Sequence, residues 1–471
     1  MKKKIFITTA IDYTNDVIHI GHAYEKILSD SYARYERVIK NQKNVLYTTG
    51  TDEHGTTNQK AAEERGLEPK DHVDDISKKD KAEIDSLNIS YDRFIRTTDK
   101  DHIKIASAFF QKAFDNGDIY KDSYKGFYCE GCESYKTLSE LDENKKCKNH
   151  PTREIQELDE ENYFFKWSKY EDFLKDLIES NKLVIKPEGK RSEMLAFLRE
   201  GLRDITVTRP KYKVSWGITA PNDDEQVIYV WFDALINYFT EGSQKDYWND
   251  DTKIVHFVGK DIARWHTLLW PAMLKSAGYR IPDVVYVHGF LNLEGEKISK
   301  SLGNVIRPTE LVEQYGTDAV RYYLLKFGPI VEDSDLSHDH FKEVYNGELA
   351  NGLGNTVARL AKLAEKSEIE FPVKDFEIDE DVFKPMEDYR ADRVIQNIWT
   401  ILSDLDKHIN ENEPWGIKDK KKLEEILSEE LGVLRKVAKY IEPFMPETAK
   451  KIQKQLDTPN IKADKPLFPR I

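Results

Sequence analysis

The sequence predicts an α/β fold, in which a parallel sheet is split by an insertion and followed by a bundle of helices. The first observation is a short apolar run at residues 4–8, followed by a polar turn and by apolar residues at helical spacing over residues 23–39. This pattern is typical of a strand that leads into a helix. Further strand-like runs are residues 44–49, 254–258 and 284–289. From residue 308 onward amphipathic helical patterns dominate, which predicts a separate all-α bundle.

Composition bounds the class of protein. With 471 residues, of which 39% are hydrophobic and 33% charged, the chain can bury a sizeable core and suggests about three domains of roughly 150 residues. No apolar run approaches the ~20 residues that cross a bilayer, and the lysine-rich start lacks the apolar segment of a signal peptide. Three cysteines in so long a chain indicate a reducing compartment. We therefore expect a cytoplasmic protein without a membrane segment.

The net charge of the chain is −14 at pH 7. An acidic chain does not attract nucleic acid as a whole, so any contact with RNA must use local basic patches. Two candidate patches, both rich in lysine or arginine, are residues 418–422 and 435–439.

The turn between the first strand and the first helix carries the sequence His-Ile-Gly-His at residues 19–22. In an open α/β sheet, such a turn brings a nucleotide phosphate to a helix N-terminus. Gly21 allows a ligand to approach the backbone closely, and the imidazoles of His19 and His22 can donate hydrogen bonds to phosphoryl oxygens. Taken alone the pattern is weak, and the favoured interpretation is one histidine that caps the helix and another that packs in the core.

Polar residues also follow the next strands, at the same predicted edge of the sheet. Asp52 follows the second strand, where pairing with an ammonium group and an ordinary capped turn are equally good explanations. Asp261 follows the third strand and begins a predicted helix at residues 262–275, where it could cap the helix or accept from a ribose hydroxyl. His266 comes about one helical turn later, although a lone histidine on an apolar helix is more often a core residue.

Residues 119–210 are predicted to form an insertion, and they contain all three cysteines of the chain. The spacing is Cys129-x-x-Cys132 followed by Cys147-x-x-His150. Paired spacing of this kind is typical of a structural zinc site, in which four protein ligands leave no position open for catalysis. The alternative, three unrelated buried thiols, is much less favoured.

The parallel sheet is predicted to resume with residues 226–231, a near-continuous apolar run suited to a strand buried on both faces. A turn and a helix follow. Trp231 and Tyr238 could form the wall of an apolar pocket, or they could be ordinary core residues, as aromatic residues usually are.

A lysine-rich segment, Lys297-Ile-Ser-Lys-Ser301, lies between Gly295 and Gly303. A mobile strap of this kind could place two ammonium groups on phosphates. In isolation, a solvated run of charges is the favoured interpretation.

Together, the His-Ile-Gly-His turn and the lysine-rich segment resemble the two signatures of the class I aminoacyl-tRNA synthetases, usually written HIGH and KMSKS. The first signature is intact, and in the second Ile298 replaces methionine, an apolar residue in both cases. With the zinc-type spacing and the helical C-terminal part, the chain is similar over essentially its whole length to the methionyl branch of this family. Further matching stretches are residues 51–56, 94–97, 229–234, 259–262 and 412–415.

The resemblance implies a ligase that forms methionyl-adenylate from ATP and L-methionine, releases pyrophosphate, and transfers methionyl to the 3′-terminal ribose of tRNA(Met). It implies Mg²⁺ with ATP and a structural Zn²⁺. The implied methionine-binding residues are Ala10, Ile11, Tyr13, Asp52, Trp231, Ala234, Leu235, Tyr238, Ile262 and His266, with Asp52 on the ammonium group. The implied ATP-binding residues are His19, Gly21, His22, Asp261, Lys297 and Lys300, of which the two histidines and two lysines are catalytic. The implied anticodon-reading residues are Asn355, Arg359 and Trp415.

The same resemblance gives names to five predicted segments. The first and second halves of a Rossmann-like catalytic domain are residues 1–118 and 211–290, the zinc-type insertion is 119–210, the lysine-rich loop with its linking helices is 291–340, and the α-helical anticodon-binding domain is 341–471. Asp12 departs from the family, which more often has proline or tyrosine there. The detailed shape of the pocket therefore stays open.

Other classes of protein compete with this interpretation. A different nucleotidyltransferase with a similar His-x-Gly-His turn would need neither the insertion nor the helical tail. A non-catalytic RNA-binding relative could lose its phosphate-handling residues, whereas both signatures are chemically complete here. The cysteinyl, leucyl, isoleucyl and valyl enzymes are the nearest confusions within the family, and the insertion is too short for the editing domain of the last three. We expect a monomer, because the extra domain that dimerises some relatives is missing.

Overall fold

The computed structural model describes residues 3–129, 134–136, 141–148, 154–298 and 303–471. The strands of this part are β1 (Lys4–Thr9), β2 (Asp12–Tyr13), β3 (Val45–Asp52), β4 (Arg93–Arg96), β5 (Ile119–Cys129), β6 (Ser134–Lys136), β7 (Ile155–Phe165), β8 (Val184–Lys186), β9 (Ile205–Thr206), β10 (Thr208–Pro210), β11 (Thr219–Ala220), β12 (Asp223–Ile228), β13 (Thr252–Gly259), β14 (Val284–His288), β15 (Leu291–Leu293), β16 (Glu296–Lys297) and β17 (Ser334–Leu336).

The α-helices of the same part are α1 (Ile20–Arg34), α2 (Thr56–Glu64), α3 (Pro69–Ser86), α4 (Lys100–Asp115), α5 (Glu171–Glu179), α6 (Glu188–Arg199), α7 (Val230–Leu235), α8 (Asn237–Gln244), α9 (Trp270–Ser276), α10 (Pro308–Tyr315), α11 (Thr317–Phe327), α12 (His338–Val344), α13 (Asn355–Ser367), α14 (Glu380–Phe383), α15 (Ala391–Asn412), α16 (Lys420–Tyr440) and α17 (Pro446–Leu456). Segments of π-helix are Tyr35–Ile39, Trp265–Leu269 and Tyr345–Gly354, and short 3-10 helices are Trp167–Tyr170, Lys384–Asp388 and Pro414–Gly416. Among these described helices, none has both the length and the apolar character that a membrane span requires.

The chain divides into two units. Unit 1 contains the described residues of Met1–Ile18, Leu46–Ala82 and Tyr91–Val287, and unit 2 contains the described residues of His19–Val45, Glu83–Ser90 and His288–Ile471. The five narrower segments expected from the sequence stay a prediction.

Unit 1 is built on the predicted parallel sheet. Its strand order is β2-β3-β1-β13-β14-β8, with β4 also paired to β3. The strand β1 is buried almost throughout and runs parallel to β13, in register from Lys4 opposite Thr252 to Thr9 opposite Phe257. Burial on both faces explains why these strands read as apolar runs. The strand order reverses between β1 and β13, so the crevice beyond their carboxyl ends is where an open sheet binds its ligand.

The prediction for residues 226–231 is wrong. The strand β12 ends at Ile228 and pairs antiparallel with β10 and β11 in a separate three-stranded sheet. Tyr229 is extended, and α7 starts at Val230. The periodicity of a short apolar run does not show whether the run is a buried strand or a buried helix. Here a single run contains the end of the strand β12 and the start of the helix α7.

The edge strand of the parallel sheet was not anticipated. The strand β8 contains only three residues and lies within the stretch expected to form the insertion, yet it pairs in parallel with β14, Val184 opposite Val284. Three residues are too few to carry a recognisable strand pattern.

A cluster of buried aromatic side chains fixes α7, the helix that carries the predicted pocket wall. Phe109 and Phe110 of α4 make edge contacts with Phe232, with ring centres 6.3 and 5.6 Å apart. Phe109 also stacks on Trp270, 5.9 Å away. Aromatic pairs of this kind contribute about 0.5–1.5 kcal/mol each beyond their buried area. The helix α4 ends shortly before Gly117, whose positive φ of 71° is typical of a residue that terminates a helix.

Unit 2 contains the predicted helices α10 to α17, but it is not free of strands after residue 308. The short strand β17 pairs in parallel with β15, and β15 pairs antiparallel with β16. The lysine-rich segment therefore begins at Lys297 in β16, an edge strand of a small three-stranded sheet.

A buried ion pair holds α1 within unit 2. Asp30 and Arg321 are both fully buried, and their side chains meet at 2.8 Å. Burial alone would raise the pKa of Asp30, but Arg321 and Arg34 outweigh it and lower the pKa. Removing one partner of such a pair costs about 3–5 kcal/mol, because the other charge is left buried.

Candidate active site

In unit 1, the carboxyl ends of the central strands bring the predicted amino-acid site together. The Ala10 amide donates to the Phe257 carbonyl at 3.2 Å, which joins the ends of β1 and β13. The next residues form β2, which pairs in parallel with the end of β3, so that Tyr13 stands opposite Asp52. Asp52 is buried, 4% exposed. Ala10, Ile11 and Tyr13 are half-buried.

Aromatic rings build one wall beside Tyr13. The Trp231 ring stacks on Trp265, with centres 5.2 Å apart and planes 21° apart. It also meets Tyr13 edge-on at 6.4 Å and His266 edge-on at 6.5 Å. The structure thus brings together three residues predicted from the sequence. It adds Trp265, which the sequence analysis missed because the π-helix at residues 265–269 alters the directions of neighbouring side chains.

His266 is held by hydrogen bonds on both ring nitrogens. Its Nδ1 lies 3.0 Å from the Ile262 carbonyl and its Nε2 lies 2.7 Å from the Tyr238 hydroxyl. A carbonyl can only accept, so Nδ1 carries the proton and Nε2 accepts from Tyr238. Both side chains are buried, as are Ala234 and Leu235. His266 is therefore a buried histidine with both ring nitrogens satisfied, as its position on an apolar helix favoured, and its role at the methionine site stays a prediction.

Behind this bridge lies a second buried histidine, His256. Its ring is 4.4 Å from that of Tyr238. The Trp270 indole donates to Nε2 at 3.3 Å, so Nδ1 carries the proton and donates to the Thr8 hydroxyl at 2.6 Å. Burial, together with the nearby His266, lowers the pKa of His256 well below its usual value. His256, Tyr238 and His266 therefore form a buried set of rings, in which hydrogen bonds hold both histidines.

The segment after β3 is held from one side by Glu53. Its carboxylate is fully buried and accepts from Arg96 at 2.5 and 2.8 Å and from Thr51 at 2.8 Å. Arg96 belongs to the matching stretch at residues 94–97. The contact explains why that stretch accompanies the Asp52 segment.

A buried aspartate that the sequence analysis did not single out holds the same segment from the other side. Asp233 lies in α7, and its carboxylate contacts Nδ1 of His54 and Nε2 of His102, both at 2.7 Å. Burial works to raise the pKa of Asp233, but the charge of His54 and the hydrogen bonds from both histidines outweigh it and lower the pKa to about 2. In the sequence, the only indication of a role for Asp233 is its position between Trp231 and Ala234, two residues of the predicted methionine pocket.

Asp261 and Ile262 follow β13 directly, at the carboxyl end of the sheet. Asp261 is exposed and Ile262 half-buried. The predicted helix start at Ile262 is slightly early, because the Ile262 amide bonds to the Gly259 carbonyl at 3.3 Å in a turn and helical residues begin at Ala263.

In unit 2, the His-Ile-Gly-His turn begins α1. His19 is the N-cap residue, and its Nδ1 accepts from the Gly21 amide at 3.1 Å. The His22 Nδ1 accepts from the His19 amide at 3.3 Å. Because both Nδ1 atoms accept from amides, both rings carry their proton on Nε2. His19 is half-buried and His22 exposed, so the pair offers two N–H donors at a helix N-terminus, which favours an anion.

The lysine-rich segment starts in a hairpin of the same unit. Glu294 and Gly295 form its turn with φ of 51° and 81°, and Lys297 on β16 stands opposite Asn292. Lys297 is exposed, with its ammonium 5.4 Å from the centre of the Phe290 ring. Ile298 is buried, which fits an apolar residue there. Lys300 lies outside the described residues.

Near the C-terminal helices, two of the three predicted anticodon residues are in contact. The Arg359 guanidinium lies 4.5 Å from the centre of the Trp415 ring and donates to Asn410 at 2.9 Å. Trp415 is 51% exposed. Asn355 is exposed and one turn earlier on α13, so it lies on the same helix face as Arg359.

The predicted zinc ligands are described only in part. Cys129 and Cys147 are buried and not in a disulfide, whereas Cys132 and His150 lie outside the described residues. Within the described ranges, no group of three or more histidine, cysteine or acidic side chains is arranged to hold a metal.

Comparisons with known proteins identify the family of the chain. The family model for class I tRNA synthetases (M) matches residues 5–156 and 139–361. Methionine–tRNA ligases of Caldanaerobacter subterraneus and Clostridium perfringens are 41% and 40% identical, each over 97% of this chain and 74% of its own length. The structure of Mycobacterium tuberculosis methionyl-tRNA synthetase in complex with methionyl-adenylate matches with a TM-score of 0.91 and 32% identity, covering 100% of both chains. The chain therefore belongs to the class I tRNA synthetases of the methionine type, the methionyl-tRNA synthetases.

Proposed function

We propose that the chain attaches methionine to tRNA in two steps: ATP and methionine form methionyl-adenylate with release of pyrophosphate, and methionyl then passes to the 3′-terminal ribose of tRNA(Met). The observation that supports this proposal is the arrangement at the carboxyl ends of β2 and β3 in unit 1, where the buried Asp52 pairs with Tyr13 in the strand register and the Tyr13 ring meets Trp231 edge-on. A buried acid next to an apolar slot suits a free amino acid with an unbranched apolar side chain.

The pocket selects methionine by length and by contact with sulfur. Asp52 pairs with the ammonium group, and the side chain enters between Trp231, Tyr238, His266 and the half-buried Ile262. Aromatic rings make favourable contacts with thioether sulfur. Discrimination by one methylene is worth only about 1–3 kcal/mol, so the slot must hold its shape. The hydrogen bonds that fix His266 and Tyr238 provide that rigidity.

The first step needs no general base. The methionine carboxylate is already ionised at neutral pH and attacks the α-phosphate of ATP directly. The protein must align the reactants and neutralise the charge that grows on phosphoryl oxygens and pyrophosphate. The Nε2–H groups of His19 and His22 donate to these oxygens, while Lys297 and Lys300 neutralise the phosphates together with the Mg²⁺ that accompanies ATP. Gly21 lets ATP approach the backbone, and Asp261 accepts from a ribose hydroxyl.

The second step requires tRNA, and the exposed Trp415 ring is the proposed platform for an anticodon base. Arg359, packed against that ring, and Asn355 on the same helix face contact neighbouring bases. Stacking of a base on an aromatic side chain is worth about 1–3 kcal/mol. The monomeric state and the cytoplasmic location stay predictions.

A structural zinc is proposed for the insertion. The burial of Cys129 and Cys147 and the absence of a disulfide at these two described positions support thiolate ligands, and Cys132 with His150 completes a set of four. Purified protein is expected to contain one zinc per chain, and Cys129→Ser is expected to lose it. Metal content is measured directly, independently of activity.

The test of the function is ATP–pyrophosphate exchange with each of the twenty amino acids, with Mg²⁺ and without tRNA. Exchange that depends on methionine alone is expected. Exchange with another amino acid would keep the reaction and overturn the assigned pocket, and no exchange with any of them would overturn the catalytic proposal in favour of a non-catalytic RNA-binding protein.

A further inference from the structure

Asp233 is a buried charge that neither step of the reaction uses. It is fully buried, and each oxygen has one partner at 2.7 Å, Oδ2 with Nδ1 of His54 and Oδ1 with Nε2 of His102. Since an ionised carboxylate can only accept, both imidazoles donate to it. The three side chains form a continuous hydrogen-bonded bridge within unit 1.

The first arm of this bridge leads to the ammonium side of the pocket. His54 lies two residues after Asp52, at the end of β3. The helix that carries Asp233 also carries Trp231 and Ala234. The Asp233–His54 contact therefore joins the segment that bears the ammonium-binding group to the helix that bears the apolar wall.

The second arm leads away from the pocket into the scaffold. His102 is fully buried on α4, and its Nδ1 lies 3.0 Å from the Thr240 hydroxyl of α8. That hydroxyl also lies 3.1 Å from the Ile236 carbonyl. The bridge thus has one end at the site and the other on two helices that the aromatic core holds in place.

The energetics favour a geometric role for the bridge over a purely stabilising one. A buried charge pays a desolvation cost that apolar packing would not, so buried ion pairs contribute little net stability. Two stabilising elements already act here, since Phe232 anchors α7 in the aromatic cluster and Arg96 holds Glu53. The directional hydrogen bonds to Asp233 fix the distance between the Asp52 segment and the helix α7.

We propose that Asp233 is a positioning residue that sets the distance between Asp52 and the wall formed by Trp231 and Ala234, and thereby the length of side chain that the pocket accepts. The proposal rests on the proposed function. Asp233 itself touches neither substrate, so it acts through His54 and through its own helix.

The experiment compares Asp233→Asn with a matched control, Asp118→Asn. Asp118 is also a buried aspartate of unit 1, 2% exposed and bonded to Lys169, Tyr170 and Ser276, none of which belongs to the proposed pocket. Both variants are expected to lower the melting temperature. Only Asp233→Asn should raise the KM for methionine in pyrophosphate exchange, by about tenfold for the loss of one charged hydrogen bond, with the KM for ATP unchanged.

Specificity is the second readout. We expect Asp233→Asn to lower the ratio of kcat/KM for methionine over ethionine, which is one methylene longer, by roughly tenfold. Asp118→Asn should leave this ratio at the wild-type value. A general loss of stability would not change the ratio.

A second pair of variants keeps the test valid if Asp233→Asn does not fold. His102→Gln retains an N–H donor near the position of Nε2, and His102→Leu removes it. The glutamine variant should stay close to wild type, and the leucine variant should show the raised methionine KM.

Equal rises in both KM values, or identical behaviour of Asp233→Asn and Asp118→Asn, would overturn the inference while leaving the proposed function intact. A wild-type protein without methionine-dependent exchange would overturn both.

Discussion

The proposed amino-acid pocket of unit 1 and the proposed phosphate-binding elements of unit 2 differ in how far their polar side chains are buried. In the proposed pocket, Tyr238, His256 and His266 are almost fully buried, and their polar atoms are hydrogen-bonded inside the protein. In unit 2, His22 and Lys297 are exposed. An apolar slot can be assembled without its ligand, because burial and internal hydrogen bonds stabilise it. Charges that will meet phosphates must stay hydrated until the ligand arrives, because unpaired buried charge is costly.

The side chains of the two parts are held in place in different ways. The pocket is rigid because its polar atoms are satisfied inside the protein. The donors of unit 2 are oriented mainly by the backbone, since the capping hydrogen bonds of His19 and His22 fix the tautomer of each ring. We expect substitutions in the proposed pocket to change methionine binding and stability together, and substitutions in the proposed phosphate elements to change turnover while methionine binding stays the same.

The largest expected effect is in the phosphate elements. His22→Ala should lower kcat for pyrophosphate exchange by about 10²–10³, the usual cost of removing one hydrogen-bond donor to developing charge. The variant lacks the Nε2–H group that is proposed to donate to the phosphoryl oxygens. Methionine Kd should stay unchanged, and the free energy of unfolding should fall by no more than about 1 kcal/mol from the lost cap. A loss of methionine affinity with normal turnover would contradict the division between the two parts.

The next effect concerns the space around His19. In Gly21→Ala the new Cβ would lie 2.9 Å from Cε1 of His19, so the ring must move and kcat should fall by about tenfold or more from misplacement of a catalytic group. Gly432→Ala is the matched control, because no atom lies within 4 Å of its Cβ and alanine gains about 1 kcal/mol in a helix. Equal activity of both variants would show that His19 does not act on ATP.

A smaller effect is expected in the pocket. Tyr238→Phe removes the donor to His266 Nε2, so the methionine KM should rise severalfold and stability should fall by about 1–2 kcal/mol for a buried acceptor left unpaired. Tyr440→Phe removes another buried hydroxyl, the acceptor of the Asp379 amide at 2.9 Å in unit 2. That control should lose comparable stability with no change in either KM. Steady-state exchange and thermal unfolding measure the two effects.

The smallest effect is a pH dependence of the pocket. The pKa of His256 is lower in the folded state, so the unfolded chain binds the extra proton below pH 6.5 and folding is favoured as pH rises. The stability that comes from neutral His256 is present above pH 6.5 and is lost as pH falls below it, at up to about 1.4 kcal/mol per pH unit. Unfolding of wild type and His256→Gln at pH 7.5 and 5.5 should give a larger loss in wild type. An equal loss would mean that His256 carries a proton in the folded state.

Many of the candidate site residues were recognisable in the sequence because they lie in short motifs at the ends of strands, and their roles stay predictions. The family and the α/β class are confirmed, and the structure brings Tyr13 beside Asp52 and places Trp231 with His266 as expected. Residues 226–231 were assigned to the wrong element, because their apolar character is shared by a strand end and a helix start. Asp233, His54, His102 and Trp265 were missed, because each is recognisable only by its neighbours in space.

From the sequence alone came most of the long helices and central strands, the two signature motifs and the residues proposed to bind methionine and ATP, since periodicity and turn chemistry act over a few residues. The pairing of buried polar side chains by hydrogen bonds is visible in the tertiary structure alone. Asp233 is separated from His54 by 179 residues and from His102 by 131, and no local pattern specifies such a pairing. Hydrogen bonds are short and directional, so their partners are chosen by the packing of whole elements.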